Sequence, residues 1–159
     1  MTYRITGLAP ENFADLFDLD DAALAARSAI RVTAQADRGY PCRISLEDAR
    51  QGEELILLHH TSQDVATPYR SAYAIYVRQG VAAADHIDGL PPVFEGRPLA
   101  FRAFDATGML RDARLAMPGE AEARIRDILA NPEIAYIHAH NAAHGCFAAR
   151  IDRHGEQAR

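Results

Sequence analysis

Lysine is absent from this chain, and all 17 of its basic residues are arginine. A chain without lysine excludes Schiff-base chemistry and a lysine general base. The bias has two explanations: a GC-rich coding bias, which would also raise the alanine content, or an anion-binding surface on which arginines converge. The coding bias is the simpler explanation, and only the positions of the arginines in space can separate the two.

Cysteine is scarce, since the chain contains only Cys42 and Cys146. Two cysteines are too few for a disulfide framework or a four-cysteine zinc site, and we expect two free thiols. Long apolar runs are also missing, because no stretch approaches the roughly 20 residues that span a bilayer. The N-terminus lacks the apolar region of a signal peptide. We therefore expect a cytoplasmic location and no membrane partner.

An excess of positive charge is lacking as well: the net charge is -5 and the isoelectric point is near 5.8. This charge argues against nucleic acid as a partner. The common nucleotide, serine-hydrolase, metalloprotease and Cys-x-x-Cys motifs are absent, so no cofactor can be named. The composition is ordinary for a globular protein, and 159 residues suit a single domain over 1–159.

Period-two alternation and turn residues predict most of the chain to be β-structure. The predicted strands cover 29–35, 54–60, 69–78, 99–104, 109–117, 134–140 and 146–152, and Pro41 is expected to hold Tyr40 extended. The connection 80–98 is expected to be irregular, with one helical turn at 82–85 and room to cover a site.

Helical spacing is limited to three places. Pro10 opens a short helix that carries Phe13, Leu16 and Phe17, and Asp20-Asp21 caps a second short helix. The third helix, near residues 118–131, has an apolar stripe of Ala121, Ile125, Ile128 and Leu129. These elements predict an α+β fold with a mostly antiparallel sheet, two short N-terminal helices and a frayed tail from about residue 154.

Three segments together resemble a bacterial family, the domain of unknown function 1203 family. They are the segment Tyr40-Pro41-Cys42-Arg43-Ile44-Ser45-Leu46 with Gly52-Glu53-Glu54-Leu55, then Thr67-Pro68-Tyr69, and finally Tyr136-Ile137-His138 with Asn141, Gly145-Cys146-Phe147 and Ile151-Asp152-Arg153. The resemblance runs from the N-terminal helices to residue 153. The chain departs from the family at Tyr73-Ala74-Ile75-Tyr76 and at His140, where the family tends to carry arginine. The resemblance implies a compact bacterial cytoplasmic protein and supplies no reaction.

One hypothesis is a binding protein or minor enzyme for a small anionic molecule. Its predicted ligand-binding residues are Arg43, Tyr69, Arg102, His138 and Asn141, with Tyr73 on the pocket wall. Arginine forks hold carboxylates or phosphates by paired hydrogen bonds. The pocket is expected between Pro41-Cys42-Arg43 and a C-terminal hairpin, with the 80–98 connection as its cover.

A second hypothesis is a thiol- or metal-dependent enzyme. The candidate catalytic residues are Cys42, His138 and Cys146, because a cysteine near arginine or histidine becomes a nucleophile. The candidate metal ligands are His138, His140, His144 and Cys146, with Cys146 expected near His140 across the hairpin. Their spacing matches no zinc signature, and buried cysteines and solvated histidines explain the same residues.

A third hypothesis is a structural or interaction protein without catalysis, in which a sheet edge pairs with a second copy or another partner. The sequence leaves open whether the protein is an enzyme and whether it forms a homo-oligomer.

Overall fold

The computed structural model describes residues 1–155, in which two antiparallel sheets and two α-helices form. The strands are β1 (Thr2–Thr6), β2 (Ala29–Thr33), β3 (Glu54–Gln63), β4 (Ser71–Arg78), β5 (Asp85–Ile87), β6 (Leu99–Phe104), β7 (Leu110–Ala116), β8 (Tyr136–Asn141) and β9 (Phe147–His154). The helices are α1 (Asp21–Ala26) and α2 (Ala121–Leu129), and 3-10 segments cover Pro10–Asn12, Ala14–Asp18 and Pro92–Phe94. The predicted α+β class is confirmed.

The larger sheet has the strand order β5-β1-β9-β8-β6-β7, and the smaller sheet has the order β2-β3-β4. All neighbouring strands pair antiparallel. Strand β1 lies between β5 and β9, and its register places Thr2 opposite His154. The two ends of the described chain therefore lie side by side within one sheet.

Two apolar cores hold the sheets. The first packs Ile125 and Leu129 of α2 against the face of the larger sheet that carries Ile137 and Ile151. The second packs the N-terminal segment against the smaller sheet and includes Phe13, Leu16, Leu24, Ile56, Ile75, Val77 and Phe147. Because Phe147 belongs to β9, it connects the larger sheet to the core of the smaller one.

Several boundaries agree with the sequence pattern. Strand β6 has the predicted bounds, and the predicted helix near 118–131 is α2, whose four stripe residues are all buried. The pairs Glu120–Arg124 and Glu122–Arg126 lie at 3.8 Å and 2.9 Å on its exposed side. Asp20 caps α1 by accepting from the backbone N–H of Ala23.

Other expectations are wrong. Residues 82–85 form no helical turn; β5 lies there instead and pairs with β1, a partner that is remote in sequence. Residues 41–48 form a tight turn closed by a bridge between Pro41 and Asp48, where no element was predicted. The first N-terminal helix is two 3-10 segments. Backbone partners from distant segments override local propensity in these places.

Strand β9 includes His154, the residue near which the frayed tail was expected to begin, and residues 156–159 of that prediction lie outside the described range. The single domain over 1–159 stays a prediction. Among residues 1–155, no helix is long and apolar enough to cross a membrane.

Candidate functional site

The turn over residues 41–48, called the 41–48 turn below, is fixed by backbone hydrogen bonds on several sides. Within it, the Cys42 N–H donates to the Glu47 carbonyl (2.9 Å) and the Leu46 N–H donates to the Cys42 carbonyl (3.0 Å). Leu46 has a left-handed φ of 53°, which costs a non-glycine residue about 1–2 kcal/mol. The Arg43 N–H donates to the Tyr76 carbonyl of β4 (2.9 Å). The position of the Arg43 backbone is therefore set by tertiary contacts.

Arg43 is the most unusual side chain of the turn, because it is 1% exposed. Its Nη2 group donates to Cys146 Sγ (3.4 Å), while Nε and Nη1 are buried without a hydrogen-bond partner among the described residues. Burial lowers the pKa of the Arg43 guanidinium, and the Cys146 sulfur opposes that shift. Arginine nevertheless stays protonated in proteins, so Arg43 is a buried cation with unused donors.

The hairpin between β8 and β9 supplies the opposite wall. The Asn141 N–H donates to the Cys146 carbonyl (2.9 Å), and the Gly145 N–H donates to the Asn141 carbonyl (2.8 Å). Gly145 has a φ of 79°, a conformation that favours glycine. Asn141 Nδ2 donates to Cys146 Sγ (3.4 Å), while Oδ1 is buried without a partner. The hairpin therefore presents a sulfur and an amide to Arg43.

A cavity of about 400 Å³, called the Arg43 cavity below, lies between the 41–48 turn and this hairpin. Its volume falls in the range of small-molecule sites, roughly 300–1,000 Å³. It is lined by Gly39, Pro41, Arg43, Leu57, Tyr73, Ala74, Ile75, Tyr76, Gly96, Arg97, Pro98, Asn141, Ala142, Ala143, His144 and Cys146. Strand β4 contributes consecutive residues because it is an edge strand of the smaller sheet.

The charge of this lining is positive. Arg97 is compensated, since its Nη2 group contacts both carboxylate oxygens of Asp48 (2.7 and 2.9 Å) and its Nη1 group donates to the Val93 carbonyl. Arg43 has no such partner, and no Asp or Glu is among the lining residues. The uncompensated charge of the cavity is therefore that of Arg43.

A second cleft of about 420 Å³ lies against β2 and is lined by Asp21, Ile30, Arg31, Thr33 and Glu54. Its arginine is already used, because Arg31 donates to Glu54 (2.8 Å) and to the Leu19 carbonyl (2.7 Å). This cleft therefore lacks the unused donors that distinguish the Arg43 cavity.

The predicted ligand-binding residues separate into two groups. Arg43 and Asn141 line the Arg43 cavity, and so does Tyr73. Tyr69, 39% exposed, lies in the turn before β4, and Arg102 lies on β6 opposite His138. Neither Tyr69, Arg102 nor His138 lines the cavity, so the five residues do not converge on it.

His138 is buried in an aromatic cluster on one face of the larger sheet. Its ring lies 5.4 Å from that of Phe104 and 5.0 Å from that of Phe147, and its Nδ1 atom is buried without a partner. Burial lowers the pKa of His138 to about 3, and the Arg150 guanidinium adds to the shift. His138 is therefore neutral at physiological pH.

Cys146 was expected near His140 across the hairpin, and the residue before it contacts His140: the Gly145 carbonyl oxygen lies 2.9 Å from His140 Nδ1. A bulge in the β8–β9 pair places Phe147 opposite His140, while Cys146 contacts Asn141. Cys146 precedes β9, and its carbonyl accepts from the Asn141 N–H (2.9 Å), so it lies beside Asn141 and not opposite His140. Cys42 also lies outside the cavity, because it is fully buried in the core beside the smaller sheet.

The candidate metal ligands His138, His140, His144 and Cys146 do not assemble. Among residues 1–155, no three or more His, Cys, Asp or Glu side chains lie in an arrangement that could hold a metal ion. The rings of His138 and His140 are 6.4 Å apart, and His140 Nδ1 lies 2.9 Å from the Gly145 carbonyl oxygen. Burial lowers the pKa of His140 to about 4.

Arg97 and Tyr76 also line the cavity, and neither was among the predicted site residues. The segment 96–98 closes one side of the cavity, and it is the end of the connection that was expected to act as a cover. The predicted covering role of the 80–98 connection was the feature of the sequence that could have indicated Arg97. Tyr76 had no such signal, because alternation along a strand places it on the face opposite Tyr73.

Comparison with known families gives one match. The model of the family described as "Protein of unknown function (DUF1203)" matches residues 39–153. The match contains the 41–48 turn and the hairpin but not the N-terminal helices, so it begins later than the sequence resemblance suggested. No curated protein and no solved structure gives a significant match.

Proposed function

The chain belongs to the DUF1203 family of proteins of unknown function, and we propose that it binds a small anionic molecule in the Arg43 cavity. One observation carries the proposal: Arg43 is buried and positively charged, and within residues 1–155 two of its nitrogens lack partners beside a cavity that no carboxylate lines. A buried charge is costly unless it is paired. A bound anion would supply the missing charge.

The surroundings favour a ligand with an anionic head and an apolar body. A carboxylate or phosphate can accept from the fork of Arg43, and the Asn141 amide lies beside it. Leu57, Ile75 and Tyr76 offer apolar surface for the remainder of the molecule. Binding explains these features without requiring a reaction.

The proposal is tested by calorimetry with a panel of small carboxylates and phosphates and the methyl ester of each binding carboxylate. We expect at least one anion to bind, the ester to bind more weakly, and Arg43→Met to reduce the affinity about tenfold or more, as loss of a charge-assisted hydrogen bond does. Arg102→Met is the matched control, since Arg102 does not line the cavity. Equal losses in both variants, or binding of no anion, would contradict the proposal.

We also propose a cytoplasmic location, because Cys42 and Cys146 are both free thiols and thiols persist in a reducing compartment. Fractionation of the source cells checks this; recovery of the protein from an exported fraction would exclude it. The net charge of -5 continues to argue against nucleic acid. Self-association stays a prediction, for which analytical ultracentrifugation is the direct measurement.

A further inference from the structure

We propose that Cys146 is the reactive thiol of the Arg43 cavity and that its reaction partner is a small disulfide that carries carboxylate groups. This proposal rests on the anion-binding function above and adds a covalent step at a named atom. It makes Cys146 a site of reversible modification whose selectivity comes from Arg43.

The contacts of the sulfur are the first support. Cys146 Sγ accepts from Arg43 Nη2 and from Asn141 Nδ2, each at 3.4 Å. Donors of this kind stabilise a thiolate, which is the nucleophilic form of cysteine. Cys146 is only partly buried and lines the cavity, so a small molecule in the cavity can reach it.

Arg43 gives independent support. It is a buried cation whose Nε and Nη1 groups lack partners in the described part of the chain, and Asn141 Oδ1 is likewise buried and unpaired there. A thiolate at Cys146 compensates part of the Arg43 charge, and an incoming carboxylate can accept from the remaining donors. The same side chain therefore activates the sulfur and attracts the anion.

Cys42 provides a contrast within the chain. It is 0% exposed and packs in the apolar core beside Ile56 and Val77. Its sulfur accepts one backbone hydrogen bond, from Arg78 N–H at 3.3 Å. Buried cysteines of this kind behave as small hydrophobic residues.

The contacts of Cys146 also limit the type of reaction. The two side chains that hydrogen-bond its sulfur, an arginine and an amide, do not exchange a proton at neutral pH, and among the described residues no hydrogen bond joins the sulfur to His144, the imidazole of the lining. Hydrolysis of an amide or an ester requires a proton donor for the leaving group. Disulfide exchange does not, because a thiolate leaves without prior protonation.

In the proposed step, the Cys146 proton passes to solvent and the thiolate attacks one sulfur of the disulfide. A new Sγ–S bond forms and the original S–S bond breaks. The departing thiolate carries the electron pair and takes a proton from water. Cys146 is thereby oxidised to a mixed disulfide, and one half of the reagent is reduced to a thiol.

Three disulfides of similar size but different charge test the proposal: 3,3′-dithiodipropionate, bis(2-hydroxyethyl) disulfide and cystamine. Rates of modification of the native protein are followed by intact mass, and the site is identified by peptide mapping. We expect Cys146 to react with the dianion roughly tenfold faster than with the dication, as expected for electrostatic steering. Cys42 should remain unmodified.

Arg43→Met should remove the charge preference, whereas Arg102→Met should keep it. If Arg43→Met fails to fold, the rates are measured on the natural protein with added salt. Salt screens the charges, so an electrostatic preference should disappear and the rates with the dianion and the dication should become equal. An unreactive Cys146, or equal rates with all three reagents, would overturn the proposal.

Failure of this step can be separated from failure of anion binding. The Cys146→Ala variant has no thiol, and 3,3′-thiodipropionate has no disulfide, so their binding measured by calorimetry reports only the anion site. Retained binding with an unreactive Cys146 would leave the proposed function intact and remove the covalent step. If the natural protein binds no anion either, both the proposed function and the covalent step are excluded.

Discussion

A buried arginine without a carboxylate partner is a costly residue, and Arg43 shows this cost at the scale of one side chain. Its backbone is held by Tyr76 and its Nη2 group by Cys146, while two further nitrogens stay unpaired. Natural proteins carry such local costs mainly where a site must be ready for a ligand. Stability and binding should therefore respond in opposite directions when Arg43 is replaced.

We predict that Arg43→Met does not destabilise the ligand-free protein and raises its free energy of unfolding by up to roughly 2 kcal/mol, because an apolar side chain of similar length removes an unpaired buried charge. Urea unfolding of both proteins measures the difference. A loss above about 1 kcal/mol would show that the Arg43–Cys146 contact already compensates the charge.

His138 predicts the pH dependence of stability. The pKa of His138 is about 3 in the folded protein against 6.5 for an exposed histidine, so the unfolded chain binds the proton at a higher pH than the folded protein does. The free energy of unfolding that neutral His138 contributes is therefore complete above pH 6.5 and decreases as the pH falls toward 3. At pH 5 the expected loss is roughly 2 kcal/mol.

His138→Phe should reduce this acid sensitivity, because a phenyl ring fits the cluster of Phe104, Tyr136 and Phe147 and does not titrate. Urea unfolding at pH 5 and pH 7 measures the effect. His140, whose pKa is also lowered, will contribute a remaining slope. An unchanged difference between the two pH values would assign the acid sensitivity to other groups.

At the scale of elements, the 41–48 turn depends on a close approach by the chain after β1. A Cβ atom on Gly7 would overlap the carbonyl oxygen of Ile44. The neighbouring Leu8 N–H donates to the Arg43 carbonyl (2.8 Å). The N-terminal strand therefore positions the turn that carries the candidate site.

We predict that Gly7→Ala destabilises the protein by about 2 kcal/mol or more, because the clash is with backbone atoms that have no free rotamer. The same variant should weaken anion binding. Gly89→Ala is the matched control, since its Cβ atom would meet no atom closer than 3.8 Å. Thermal unfolding compares the two, and equal melting temperatures would refute the close approach.

Elements were predictable where the signal was local. The bounds of β6 and the stripe of α2 follow from period-two and period-3.6 spacing. Strand β5 was missed because its partner is β1, about eighty residues earlier in the chain. The bulge that places Phe147 opposite His140 was missed for the same reason, since register belongs to a pair of strands.

At the scale of the whole molecule, the family match and the folded unit have different bounds. The match begins at residue 39, whereas β1 and β2 precede it and pair with β9 and β3. A fragment over 39–153 would expose the edges of β5, β9 and β3. It would also lose Gly7 and Leu8 beside the turn.

We therefore predict that the 39–153 fragment fails to form a stable fold, while the full chain unfolds cooperatively. Circular dichroism and urea unfolding of both proteins provide the measurement. A fragment that unfolds cooperatively at the same midpoint as the full chain would show that the matched region is an independent domain.

The sequence by itself determined the fold class, most strand positions, helix α2 and the two segments that face the cavity. Residue spacing, turn residues and helix capping act between residues a few positions apart, so they can be recognised without the tertiary structure. Tertiary structure alone decided which side chains meet there. Arg43 and Cys146 are far apart in sequence, and their contact depends on the docking of the 41–48 turn on β4 and on the bulge in the hairpin. Tyr69, Arg102 and His138 have suitable chemistry, but packing places them elsewhere.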